Sequence, residues 1–328
     1  ASGAALFLVV AFAVSIGELA VPLADVFRAI ANRAFGASFP MPPIQEGVIW
    51  DYRLARALVA ACCGAGLALS GAILQVLLRN PLADPYVLGL SAGASTGAVA
   101  VAILGLGAGA LTLSGGAFIG ALLAFLLVAF LAAGAGGGTE RIILAGIAGS
   151  QLFNALTAYI VTASANAEQA RGIMFWLLGS LGGVRWSDVG LAAPMALIGF
   201  LACQFHARAL DAFAFGTDAA ASLGVNVTRV RLILFGITAA MTAIMVSLVG
   251  AIGFVGLVIP HAARFIVGPH HARLLPAAMV VGAVFMVLAD IVSRIIIPQQ
   301  VLPIGVVTAL IGAPAFALLL YRARRKGA

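Results

Sequence analysis

Asp290 and Arg294 stand four residues apart in an otherwise apolar stretch near the end of the chain. Residues at i and i+4 share a helix face, so a carboxylate and a guanidinium can pair there. Ionisable groups inside apolar segments also form the relays of ion-driven carriers. Both interpretations stay open, but the other apolar segments are nearly free of charge. The sequence therefore favours a driving force supplied by a partner.

The sequence offers few residues for nucleotide binding, metal binding or catalysis. A phosphate-binding loop needs a lysine after a glycine-rich turn, and the sole lysine is Lys326. Neither the histidines nor the cysteines have the spacing of a zinc site, and no nucleophilic triad is readable. We predict no catalytic residue, no metal site and no cofactor bound by this chain. His270 and His271, beside Pro269, are expected in a solvated loop.

The composition bounds the fold class. The chain is 63% hydrophobic and 9% charged, with a mean hydropathy of +1.16, whereas soluble domains carry about 25% charged residues. We predict an all-α polytopic membrane protein forming a single domain over residues 1–328. The net charge of +7 is expected in basic loops on the cytoplasmic side rather than in a nucleic-acid site.

Ten segments are long and apolar enough to be candidate transmembrane helices. They are residues 3–21, 55–78, 86–106, 111–134, 141–163, 189–206, 230–250, 252–268, 274–297 and 303–321. The first is interpreted as a span rather than a signal peptide. An even number of spans puts both termini in the cytoplasm, where the basic C-terminal tail is expected. Residues 24–35 and 167–178 are predicted to be amphipathic helices along the outer surface.

The segment Leu210–Arg231 is short, soluble in character and flanked by apolar runs. Such a segment is unusual in a chain that is almost entirely membrane span. We interpret it as the attachment site of a separate cytoplasmic motor. A secondary carrier would instead need an ion relay, and a channel or structural membrane protein would not need this segment.

Two long blocks carry a family resemblance. Asp51–Ser95 contains LLRNPLADPYVLGLSAGAS, and Val246–Leu320 contains GFVGLVIPHAARF, LADIVSR and LPIGVVTALIGAP. Together they resemble the FecCD family of permeases, from type II ABC importers for ferric siderophores, haem and cobalamin. The resemblance implies a homodimer of ten-helix subunits in the bacterial inner membrane. It also implies two ATP-binding subunits, which use ATP and magnesium, and a periplasmic binding protein.

The resemblance assigns the coupling contact with the ATPase to a region of about residues 211–224. We expect Gly216 to end the preceding segment, Thr217 or Asp218 to cap a helix over 218–223, and Gly224 to end it. The alanines should give the helix a small surface that fits a groove. The assigned residues are Gly216, Thr217, Asp218, Ala219, Ala220, Ala221, Ser222, Leu223 and Gly224. An ordinary capped loop helix is the alternative.

The resemblance also assigns docking of the binding protein to Arg53, Arg56 and Arg294 on the outer face. A guanidinium can hold a carboxylate with two hydrogen bonds. The alternative is that these side chains extend to the membrane interface.

Two predicted inner turns resemble the family's cytoplasmic gates: Asn80 and Leu82 after the second span, and Thr139 and Glu140 before the fifth. A rigid turn without a gating role is the alternative. Glu140 departs from the small polar residue expected there, and it could pair with Arg79 or Arg141.

The cargo is predicted from one segment. Met174–Leu181 (MFWLLGSL) resembles haem permeases more than cobalamin permeases. Few charges are expected along the path, which suits a large apolar cargo. We therefore rank haem first, a ferric siderophore second and cobalamin third. His261 is not expected to ligate haem, because a strong ligand would trap the cargo.

Overall fold

The computed structural model describes residues 2–17, 21–134 and 138–326, which are helical along most of their length and contain no β-strand. A π-helical turn, Val48–Leu54, joins α3 to α4, and a 3₁₀ turn, Pro85–Leu88, precedes α5. The helices are α1 (Ser2–Ser15), α2 (Leu23–Phe35), α3 (Pro43–Gly47), α4 (Ala55–Leu77), α5 (Leu90–Leu104), α6 (Leu113–Gly134), α7 (Thr139–Ser164), α8 (Ala167–Leu177), α9 (Trp186–Phe205), α10 (Ala207–Phe213), α11 (Thr217–Ser222), α12 (Val227–Val249), α13 (Val255–Val267), α14 (His271–Ile295) and α15 (Ile304–Lys326).

Six of the described helical segments are long and apolar enough to cross a membrane. They are Pro43–Leu77, Leu113–Gly134, Thr139–Ser164, Trp186–Phe205, Val227–Val249 and His271–Ile295. Four shorter apolar helices, Gly3–Ser15, Leu90–Leu104, Val255–Val267 and Ile304–Leu318, fall at the other four predicted spans. The prediction of a multi-pass helical protein is confirmed, whereas the count of ten depends on these shorter helices.

Helix α4 is the centre of the bundle and is buried around nearly its whole circumference. Its glycines allow backbones to approach closely, as in helix packing in lipid. A Cβ at Gly64 would overlap the carbonyl of Gly282 on α14, and one at Gly71 would overlap that of Gly256 on α13. Helices α5 and α6 meet in the same way, through Gly93 and Gly120.

Both predicted surface helices are present. Helix α2 is amphipathic, buries Val26 and Ala29, and ends at Gly36 in the left-handed conformation. Helix α8 begins with a capping box: the Gln169 backbone N–H donates to Asn166 Oδ1 at 2.8 Å, and the Asn166 N–H donates to Gln169 Oε1 at 3.1 Å.

A non-helical stretch separates α12 from α13 and packs against three other parts of the chain, at residues 178–180, Tyr86 and residues 304–305. The Ser180 N–H donates to the Val249 carbonyl at 2.8 Å, and the Ile304 N–H donates to the Gly179 carbonyl at 2.9 Å. The Tyr86 hydroxyl accepts from the Ile252 N–H at 2.8 Å and donates to the Ile252 carbonyl at 3.0 Å. These bonds satisfy backbone groups that lie outside the helices and that would be unfavourable if buried without partners. We call residues 178–180, 250–252 and 304–305 the backbone junction.

Gly250 makes the junction sensitive to a single methyl group. Its φ is +76°, and a Cβ there would overlap the Trp176 carbonyl. We therefore expect Gly250→Ala to lower the thermal midpoint in detergent markedly, because strain and overlap act together. Gly236→Ala, inside α12 with open space around it, should leave the midpoint unchanged or raise it. Equal midpoints for the two variants would show that the backbone junction can shift to accommodate a methyl group at Gly250.

Candidate functional site

The structure brings together the three arginines predicted for docking. Arg56 Nη2 lies 2.8 Å from Asp290 Oδ1, and Arg294 Nη2 lies 3.1 Å from Asp290 Oδ2. Arg53 Nη1 donates to the Val14 carbonyl at 3.0 Å. We call Arg53, Arg56, Asp290 and Arg294 the arginine cluster. It joins α4 and α14, 234 residues apart in sequence, so the predicted Asp290–Arg294 pair is part of a larger network.

The arginine cluster also holds the end of α1. Arg294 Nη1 donates to the Ile16 carbonyl at 2.6 Å, and its Nη2 donates to the Ala13 carbonyl at 3.1 Å. These carbonyls lie at a helix C-terminus, where they lack intrahelical partners and attract cations. The π-helical turn before α4 contains Arg53 and belongs to a class of distortion that is frequent at functional sites.

The arginine cluster is more buried than an ordinary docking surface. The side chains of Arg56, Asp290 and Arg294 are 6%, 2% and 10% exposed. Arg56 and Arg294 share a single carboxylate, so these three groups together keep one net positive charge. Docking by these arginines stays a prediction. In the isolated subunit their donors are directed inward.

Helix α11 exists, but its cap differs from the prediction. It begins at Thr217, one residue earlier than expected, and Gly216 is the N-cap with φ +115°. Neither Thr217 nor Asp218 forms a side-chain cap hydrogen bond. The predicted cap was wrong because the chain turns at a glycine, which reaches this φ without strain.

The end of α11 matches the prediction. Gly224 has φ +81°, its N–H donates to the Ala221 carbonyl at 2.9 Å, and the Val225 N–H donates to the Ala220 carbonyl at 3.1 Å. This pair of bonds is a Schellman motif, in which a glycine adopts the left-handed conformation.

The exposed surface of α11 differs from the alanine surface that we predicted. Ala220 is 0% exposed and packs in the core, Ala219 is half-buried, and Ala221 is exposed. Two large apolar side chains flank the helix in solvent: Phe215 is 81% exposed and Leu223 is 73% exposed. The prediction missed Phe215, although an aromatic residue directly before the breaking Gly216 was a readable signal.

Helix α11 lies beside the turn after α4. A Cβ at Gly216 would lie 3.6 Å from Arg79 Nη1, and Arg79 itself has φ +45°. In that turn the Leu82 N–H donates to Asn80 Oδ1 at 2.9 Å, while the Leu82 side chain is 47% exposed. The predicted coupling segment and the first predicted gate are therefore neighbours.

The second predicted gate lies at the start of α7. Thr139 is half-buried and Glu140 is exposed. Among the described residues, Glu140 forms no ion pair with Arg79 or Arg141, so that prediction was wrong. Gly138 and Leu88 line one cavity, which places the start of α7 near the segment after the first gate. In the part of the chain that the structure describes, no hydrogen bond or ion pair joins Asn80 or Leu82 to Thr139 or Glu140, and gating stays a prediction.

Asp84 follows the first gate and accepts a hydrogen bond from the Tyr86 N–H at 2.9 Å. Burial raises the pKa of its carboxyl to about 6, against the smaller lowering effect of that hydrogen bond. A raised folded-state pKa means that the protonated form is favoured in the fold. The contribution of this carboxyl to the free energy of unfolding is complete below about pH 4 and is lost as pH rises through about 6.

We therefore expect the thermal midpoint of the wild-type chain to fall between about pH 4 and about pH 7, around the two pKa values of the Asp84 carboxyl. Asp84→Asn keeps an oxygen that can accept from Tyr86 but cannot ionise, so it should lack that fall. Asp218→Asn, at an exposed aspartate on α11, should follow the wild-type curve. A wild-type profile that is flat, or parallel to that of Asp84→Asn, would show that Asp84 ionises without cost.

The histidines did not all lie where we expected. His271 is buried, and its Nδ1 lies 2.6 Å from Asp211 Oδ1, which also accepts from the His271 N–H at 2.9 Å. The solvated-loop prediction was wrong for His271, because Asp211 on α10 binds the start of α14. His270 is exposed, and His261 Nδ1 lies 3.3 Å from the Leu257 carbonyl of its own helix. The described residues contain no group of three potential metal ligands.

Helix α7 exposes polar side chains in the middle of a span. Gln151 and Asn154 are both exposed in the isolated subunit, as are Leu152 and Tyr159. Most of this helix is exposed in the isolated subunit. Amide side chains facing lipid are unfavourable, so this face indicates a second subunit or a hydrated path. The prediction did not include it.

Comparisons with known proteins agree with this geometry. The sequence model of the FecCD transport family matches residues 5–322. The cobalamin import system permease protein BtuC of Halobacterium salinarum is 40% identical over 289 residues, which are 86% of this chain and 75% of that protein. The uncharacterized ABC transporter permease protein YvrB of Bacillus subtilis is 39% identical over 320 residues, 96% of this chain and 90% of that protein.

A solved structure shares the whole fold. It is described as a metal-chelate type ABC transporter in an inward-facing conformation. The TM-score is 0.84 at 31% sequence identity, and the match covers 98% of this chain and 97% of that one.

Proposed function

The chain belongs to the FecCD transport family, and on that basis we propose that it is the membrane-spanning subunit of an ATP-driven metal-chelate importer. We propose ten spans with both termini in the cytoplasm of a bacterial inner membrane. The chain itself would perform no covalent chemistry. ATP and magnesium would be used by the partner subunits, and cargo would move by alternating access.

The observation that carries this proposal is the exposed α11. Phe215 and Leu223 expose large apolar surface at a short helix between α10 and α12. Leu223 is one of the coupling residues predicted from the sequence, and Phe215 directly precedes them. Such an exposed apolar patch fits a protein partner. Because Gly216 lies beside Arg79, the residue directly before Asn80 of the first gate, movement of α11 would be passed to that gate through the chain.

The exposed face of α7 supports a homodimer. Gln151 and Asn154 would face the path between two copies of this chain, where water or cargo can reach their amides. The two subunits would then enclose a path with few charges. This arrangement suits a large, weakly bound cargo.

The arginine cluster lies at the end of the subunit opposite α11 and supports docking of an acidic periplasmic binding protein. Arg56 and Arg294 share only Asp290, so an incoming carboxylate would find net positive charge there. Docking would require it to compete with the α1 carbonyls for Arg294. We propose that Arg53 contributes to docking through its positive charge.

For the cargo we propose a metal tetrapyrrole, with cobalamin first. The reason is the 40% identity to a permease named for cobalamin import. Haem is the second candidate, because Met174–Leu181 resembles haem permeases, and Met174 and Phe175 are 58% and 52% exposed. A ferric siderophore would be the third.

Cargo identity is tested in proteoliposomes that contain the permease and its ATP-binding subunit. Cyanocobalamin, haem and a ferric hydroxamate are offered separately, each with its binding protein and ATP. We expect uptake of cyanocobalamin to exceed that of the other two. Uptake of haem alone would reverse the order, and uptake of the ferric hydroxamate alone would exclude tetrapyrroles.

A further inference from the structure

A groove of about 330 Å³ lies between α6, α7 and α12, at the same end of the subunit as α11. Its walls are mostly apolar, and of the described residues that line it only Arg231 is charged. The lining residues are Leu88, Phe125, Val128, Ala129, Ala132, Ala133, Gly138, Ile142, Val227, Thr228, Arg231, Leu232 and Phe235. The groove is open at the surface of membrane-spanning helices, where Leu232 is 69% exposed.

Arg231 has an unsatisfied donor in this groove. Its Nη2 is buried and has no hydrogen-bond partner in the described part of the chain. The guanidinium carbon lies 5.7 Å from the centre of the Phe235 ring, a distance at which the ring face attracts the cation. Among the described residues no carboxylate lines the groove, and Glu140 on α7 is exposed outside it. Arg231 is half-buried, and a buried guanidinium nitrogen without a partner favours binding of an anion.

We infer that the groove binds one anionic phospholipid from the membrane leaflet on the α11 side. The phosphate accepts hydrogen bonds from the Arg231 guanidinium, whose planar fork matches phosphate oxygens. One acyl chain lies along Phe125, Val128 and Leu232. A free phosphate ion would satisfy Arg231 but would leave the apolar walls uncovered, whereas a phospholipid covers both.

The position of Arg231 suits this ligand. It is the fifth residue of α12, so it lies about 6 Å from the start of that helix. A basic side chain one turn inside a span is at the depth of phospholipid phosphates, and basic pockets between helices bind anionic headgroups. The bound lipid would link the first turn of α7, through Gly138 and Ile142, to α12, the helix that follows α11. This inference does not depend on the importer function.

Native mass spectrometry of the purified chain, with phosphatidylglycerol as the probe, tests the inference. Arg231→Gln removes the phosphate contact, and Ala129→Trp fills the groove from an exposed position on α6. Arg229→Gln is the matched control, because Arg229 is exposed two residues away and does not line the groove. Thermal midpoints establish that all three variants fold.

We expect one phosphatidylglycerol per wild-type subunit. Arg231→Gln and Ala129→Trp should each weaken binding of the lipid about tenfold. The first removes one charge-assisted contact with the phosphate, and the second fills the space of the acyl chain. Arg229→Gln should bind as the wild type does, and glycerol 3-phosphate should not displace the lipid. Wild-type binding by Arg231→Gln, or equal losses in Arg231→Gln and Arg229→Gln, would overturn the inference. Displacement by glycerol 3-phosphate would show a phosphate site without an acyl-chain groove.

Discussion

Replacing Ala221 by arginine should reduce ATP-dependent uptake more than tenfold without unfolding the subunit. Ala221 is exposed on α11, so a long charged side chain there costs little in the isolated chain. It would, however, separate the surface around Phe215 and Leu223 from the ATP-binding subunit, and a buried unpaired charge at a protein interface is strongly unfavourable. The measurements are uptake and co-purification of the ATP-binding subunit.

The control applies the same substitution elsewhere. Ala272 is an exposed alanine at the start of α14, and Ala272→Arg should change uptake by less than about twofold, as surface substitutions usually do. Ala220 is unsuitable as a test site, because it is fully buried and its replacement would damage the core. If Ala221→Arg retained both uptake and the bound ATP-binding subunit, α11 would not be the coupling element.

Asp290→Asn should lower the free energy of unfolding by about 3–5 kcal/mol, because it leaves two buried arginines without their counter-ion. The Asp290 side chain is 2% exposed and contacts both Arg56 and Arg294. The thermal midpoint in detergent should fall on the order of 5 to 10 °C. The same loss should loosen α1, whose end is held through Arg294.

Asp25→Asn is the matched control for this prediction. Asp25 pairs with Arg28 at 3.2 Å on the surface, where the arginine side chain is 52% exposed. Exposed pairs contribute about 0–1 kcal/mol, so the midpoint should hardly change. A similarly small effect of Asp290→Asn would mean that the buried arginines find other partners, and that the arginine cluster contributes little to the stability of the fold.

The sequence predicted the helical segments well, because membrane spans depend on length and hydropathy alone. Each of the ten predicted segments contains an apolar helix. It also predicted the end of α11, since a glycine such as Gly224 is a strong local signal. Sequence alone is sufficient to predict a structural feature when that feature depends on residues close together in the chain.

The errors come from contacts between distant segments. The periodicity of residues 217–224 could not show that Ala220 packs into the core, because this depends on how α11 lies against the bundle. The pairing of His271 with Asp211 spans 60 residues, and the arginine cluster also needs the carbonyls of α1. A single sequence carries no signal for such pairs.

ATP-driven uptake tests the central claim most directly. The permease is reconstituted with its ATP-binding subunit, and cyanocobalamin with its binding protein is added to the outside. ATP inside the proteoliposomes should drive accumulation of the cargo, and a non-hydrolysable ATP analogue should not. Equal uptake with ATP, with the analogue and without nucleotide would contradict the account and show a passive or ion-driven carrier.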